Sequence, residues 1–220
     1  RIYRELERNL KRPMGSARVK TLYKEWDRVF GIMYGNDEEA TDFTEVSSAI
    51  RNVYGIPDDV YLDSKVYLFA LQTFFNMFLK LLVYSFLAQL VDPAFSAKQS
   101  LTKAEIDRLF DGTAEGCASK VSNFFEAHFL EWFTFTVGQF EVEIVNSILE
   151  KIDRFDLSTF VLKPENVQDI LQEVYMELIP DDMRHLMGEY FSPDWIVEHA
   201  LDMVGYNGDI KKSLIDPTAG

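Results

Sequence analysis

A chain of 220 residues that is 47% hydrophobic, with 18 Phe and 10 Tyr, carries too much apolar side chain to stay disordered, and it is long enough for one good core and part of another. A net charge of −14 argues against a wide phosphate-gripping face, so the affinity of this chain for duplex DNA is expected to be feeble. Its single cysteine, Cys117, excludes an internal disulfide and fits a reducing cytoplasm.

The charge is uneven. Residues 1–28 hold nine basic against four acidic residues, and the remainder holds 13 against 32. The solvated faces of two helices account for the basic run most simply; contact with DNA or a neighbouring domain is the rival reading. Residues 2–11 read as a short helix that Pro13 and Gly15 interrupt. From Ala17 to Tyr34, Val19, Leu22, Trp26, Val29, Phe30 and Met33 recur at helical spacing, and Gly35-Asn36 stops the run. Phe43, Val46, Ile50, Val53 and Tyr54 mark a third helix, closed by Gly55 and Pro57.

Residues 60–91 form the hydrophobic centre. The run is long enough to span a bilayer, but Gln72, Asn76, Lys80 and Gln89 interrupt it, and a lysine near a bilayer centre is costly. The expectation is a buried spine and no membrane. Asp92-Pro93 ends it, and Thr102 with Glu105 forms a capping box for a helix through Phe110. Residues 123–133 are aromatic-dense, helical or broken helical; residues 140–153 make another helix with Val142, Val145, Ile148, Leu149 and Ile152 inward. A short strand-like stretch, Ser158 to Leu162, precedes a helix opened by Pro164, in which Val167, Ile170, Leu171, Val174, Tyr175 and Leu178 share a face. Pro180 marks the expected domain boundary, giving a helical domain over 1–180 and the start of a second over 181–220.

The second part opens on Gly188-Glu189-Tyr190-Phe191-Ser192-Pro193. Ser192 is expected as N-cap and Pro193 as the first residue of a helix. In that helix Ile196, Val197, Ala200, Leu201 and Val204 form the apolar face and Gly205 the stop. Leu214-Ile215 reads as the end of a strand leading into Asp216-Pro217-Thr218-Ala219-Gly220. Gly188–Pro193 resembles the G-E-[FY]-[FY]-[ST]-P signature of adenine-specific DNA methyltransferases. Asp216–Gly220 resembles the D-P-x-x-G-S-G start of the S-adenosylmethionine loop in the same family. The spine pattern around Leu68–Leu82 and the Asn123-Phe-Phe-Glu segment are similar, more softly, to the helical region upstream of the core in single-chain restriction–modification enzymes.

The resemblance implies a mostly α chain: a multi-helix bundle around one long buried helix, followed by the first helix and strand of a Rossmann-like methyltransferase domain. It implies cofactor-binding roles for Tyr190, Phe191, Ser192, Pro193, Asp216, Pro217, Thr218, Ala219 and Gly220. Ser192 stands where the family more often has Thr, and either supplies a capping hydroxyl. The catalytic Asn-Pro-Pro-aromatic element of the family is absent from the 220 residues. The expectation is therefore a piece of a longer, DNA-binding methyltransferase, with a nuclease ahead of Arg1 compatible by analogy. The piece is expected to be inactive alone and to bind S-adenosylmethionine weakly or not at all. A non-enzymatic helical scaffold is the alternative.

No independent active site is read elsewhere. His128, His185 and His199 are too dispersed for a metal motif, and Cys117 has no histidine at a known spacing. The acidic pairs Asp58-Asp59, Asp181-Asp182 and Glu141/Glu143 read as solvated surface.

Overall fold

The computed structural model describes residues 1–12, 16–34, 43–91, 100–114, 118–136, 139–154, 192–209 and 211–215, with Met176, Ile179, Asp181 and Arg184. The described residues are mostly helical, with α1 at Ile2–Lys11, α2 at Ala17–Tyr34, α3 at Phe43–Tyr54 and α4 at Ser64–Val91. Then come α5 at Lys103–Phe110, two 3₁₀ segments at Ala118–Phe125 and Phe129–Phe135, α6 at Phe140–Ile152 and α7 at Asp194–Met203. The expected strand over 158–162, the helix over 164–178 apart from Met176, the boundary at Pro180 and Cys117 lie outside the described residues.

The spine α4 packs against α1, α2, α3, α6 and both 3₁₀ segments. It begins at Ser64, four residues later than the apolar run suggests. The reason is local: Asp63 caps it, its carboxylate accepting the Val66 N–H (3.1 Å) and its carbonyl the Tyr67 N–H (2.9 Å). Val60 and Tyr61 stay in solvent ahead of that cap. No described side chain from Ser64 to Ala88 is exposed. By length and composition Ser64–Ala88 would also suffice to cross a membrane.

The periodic apolar residues account for the core. Val19, Leu22, Trp26 and Phe30 of α2 are all buried, as are Val145, Ile148, Leu149 and Ile152 of α6. Aromatic rings join the layers: Trp26 lies 5.0 Å from Phe69 of α4 and 4.8 Å from Phe30, and Phe110 of α5 meets Phe133 edge-on at 5.0 Å. Ile50 anchors α3, whereas Val53, another of the apolar residues that mark this helix, is exposed. After α3, Gly55 adopts φ 61°, which lets the Ile56 N–H reach back to the Arg51 carbonyl (3.0 Å). At α5 the Glu105 carboxylate accepts both the Thr102 N–H (2.9 Å) and its hydroxyl (2.8 Å), fixing the expected helix start.

Candidate functional site

Of the nine residues expected to hold a cofactor, Ser192 and Pro193 are described, and both are exposed. Tyr190, Phe191, Asp216, Pro217, Thr218, Ala219 and Gly220 lie outside the described residues. The start of α7 departs from expectation by one residue. Pro193, not Ser192, is the cap: its φ of −58° is the ring's own, but its ψ of 142° is extended. Its carbonyl accepts the N–H groups of Ile196 (2.9 Å) and Val197 (3.2 Å). No side-chain hydrogen bond caps this end, so the Ser192 hydroxyl does not play the role foreseen for it. The pyrrolidine φ suits an extended cap as well as a first helical position, and here ψ decides.

What this end presents is chemically simple. The first N–H groups of a helix have no partner within it, and Asp194 puts a carboxylate in the first turn. At the other end Gly205, φ 67°, closes the helix as foreseen: its N–H donates to the Asp202 carbonyl (3.0 Å), and Tyr206 N–H to that of Leu201 (3.0 Å).

The apolar face of α7 is real in sequence but not turned into the core. No residue of the helix is buried, and Trp195 (69%), Ile196, Val197, Met203 (75%) and Val204 are exposed. Leu214 and Ile215 are exposed and form no strand, because a strand needs a neighbour for its backbone groups and none is present among the described residues. His199 is exposed on α7. Among the described residues no group of His, Cys, Asp and Glu has the geometry to hold a metal ion. No family model, curated protein or solved structure matches this chain.

A second polar cluster was not foreseen as a unit. Lys80 Nζ, on α4, lies 2.6 Å from Glu131 Oε1, and it also donates to the carbonyls of Glu126 (2.9 Å) and Phe125 (3.4 Å). Glu131 further accepts from Asn76 Nδ2 (2.9 Å) and from the His128 N–H (2.7 Å). The Lys80 and Glu131 side chains are only 3% and 2% exposed. The three ammonium protons thus have oxygen partners, which is what a buried lysine requires. His128 Nδ1 accepts the Leu130 N–H (3.3 Å) and stands 3.4 Å from Glu131 Oε2. Burial pushes the imidazole pKa down and Lys80 adds to this, while Glu131 opposes it. Lysine, glutamate and histidine together invite an acid–base reading, but the ion pair at their centre is closed to a substrate. It fastens the second 3₁₀ segment to the spine. The signal in the sequence was the i, i+4 pair Asn76 and Lys80 within a largely apolar helix.

Glu141 needs a correction as well. Read as solvated surface, it is fully buried on α6; its carboxylate accepts the Thr136 hydroxyl (3.1 Å) and lies 3.1 Å from Lys103 Nζ. Its neighbour Glu143 is exposed. Two positions apart on a helix means opposite sides, so the pair was never one surface. Asp58, Asp59 and Asp181 are exposed as expected.

Proposed function

We propose that the chain is part of an S-adenosylmethionine-dependent DNA adenine methyltransferase of restriction–modification type. It would supply a helical connector and then the first cofactor-binding elements, without the catalytic loop. The observation that carries this reading is the order and spacing of two motifs, Gly188–Pro193 and Asp216–Gly220, about twenty residues apart with a helix between them. The start of α7 is compatible with it: free N–H groups suit a carboxylate and Asp194 suits an ammonium, the two charges of an amino-acid moiety. In this reading the uncovered apolar side of α7 packs on the sheet that Leu214-Ile215 would join. The complete enzyme would turn an adenine out of the duplex to methylate it.

The test is binding of labelled S-adenosylmethionine to the protein continued past Gly220 as its gene encodes it. Saturable binding that weakens on replacing Asp216 with Ala is expected; no saturable binding would sink the proposal. A helical scaffold without cofactor is the second reading, favoured by the same exposed side of α7, since an apolar helix surface also serves protein–protein contact.

A further inference from the structure

Arg1, the N-cap of helix α1, and Arg4 and Arg8 within it are spaced three and four residues apart, which sets them on one side. That side forms one wall of a cleft of about 330 Å³ whose opposite wall is the start of α6, with Gln139 and Phe140. All three arginines are exposed. Arg8 is held by the buried Glu5 through a close ion pair, and Arg1 lies 3.8 Å from Glu143. Arg4 pairs with no carboxylate among the described residues. Three arginines against two glutamates leave the cleft positive in a chain of charge −14. Each guanidinium has five N–H donors and a carboxylate engages only some of them, so even the paired arginines retain donors. The row from Arg1 to Arg8 spans about 10 Å along the helix axis, room for more than one phosphate. Phe140, stacked on Trp132 with ring centroids 6.3 Å apart, puts an aromatic ring in the wall opposite the arginines.

We infer that this cleft is a contact for the phosphodiester backbone of a nucleic acid, with Arg4, which has no carboxylate partner among the described residues, as its central cation. Guanidinium groups suit the phosphate oxygens of such a backbone, which they can meet with two parallel N–H donors. The choice of a nucleic acid over other polyanions rests on the methyltransferase reading; the cleft and its charge do not. With so few cations engaged, binding belongs to low salt: the slope of log K against log salt should be about −2 to −3.

The experiment is fluorescence anisotropy of a labelled DNA duplex titrated with the full chain across a salt series. Arg4→Glu is compared with Arg28→Glu, an equal charge change at an exposed residue of α2 outside the cleft. The expected result is binding at low salt, weakened at least tenfold by Arg4→Glu and less than threefold by Arg28→Glu. Arg4→Ala should lower the salt slope by about one. No binding at low salt, or equal losses in both charge reversals, overturns the inference. Circular dichroism of each variant separates unfolding from lost contact. The two proposals fail separately: cofactor binding by the longer protein without an Arg4 effect defeats only the cleft. An Arg4 effect without cofactor binding defeats only the methyltransferase.

Discussion

Lys80 shows how a single residue is tolerated where its charge is expensive. Removing water from an ammonium costs several kcal/mol, and the cost is met here by Glu131 and two carbonyls. Lys80→Met should therefore lose about 3–5 kcal/mol, because it leaves the Glu131 carboxylate buried without its partner. Adding Glu131→Gln should return part of that, since it removes the buried charge, although the single amide oxygen can replace only one of the two carboxylate oxygens to which Asn76 and the His128 N–H donate. Urea denaturation midpoints of the two variants decide the matter; equal losses would mean that the ion pair is not what holds this region. The neighbouring His128 gives a pH dependence with a definite sign. Its folded-state pKa lies below the ordinary 6.5, so the unfolded chain takes up the proton first as pH falls. Its contribution is whole above about pH 6.5 and is lost as pH drops from there through the folded value. His128→Asn, which keeps a capping side chain, should flatten that part of the stability–pH curve. An unchanged acid limb in the variant would remove His128 as its cause.

Among the elements, α4 poses the sharpest physical choice, since its length and apolarity fit both a bilayer and a protein core. Its polar residues distinguish the two environments. Gln72 accepts the Trp26 indole N–H (2.7 Å), Thr73 that of Trp132 (2.9 Å), and Asn76 and Lys80 both reach Glu131. Partners drawn from α2 and the second 3₁₀ segment are what a core helix has and a lipid-facing one lacks. The protein should accordingly stay in the supernatant when mixed with phospholipid vesicles and centrifuged; co-sedimentation without detergent would reverse this assignment. The same helix explains why some features were legible in the sequence and others were not. Apolar spacing in α2 and α6 and the Thr102–Glu105 box are local patterns, and they landed where they pointed. The partners of Lys80, the burial of Glu141 and the cap at Pro193 depend on distant contacts or on one backbone angle. Neighbouring residues in sequence do not carry that information.

At the scale of the whole molecule, the bundle around α4 and the exposed α7 meet opposite conditions. Residues 1–154 supply most of the buried core, whereas α7 and residues 211–215 contribute none. The candidate cofactor site was legible as a motif pair, but most of its residues lie outside those described, so its geometry rests on α7 alone. Where the apolar periodicity of α7 suggested an inward face, exposure resulted, because periodicity states which side seeks cover and not what provides it.

The three tryptophans follow the same division. Trp26 and Trp132 are 3% and 0% exposed, with their indole N–H groups bonded inside the bundle, while Trp195 is 69% exposed on α7. The protein thus carries two optical reporters of different kinds. A soluble quencher such as iodide reaches the emission of Trp195 and spares the other two until the bundle unfolds. Any surface that settles on α7 would shield that ring and shift its emission to the blue, so cover of this helix registers in the native chain without a label.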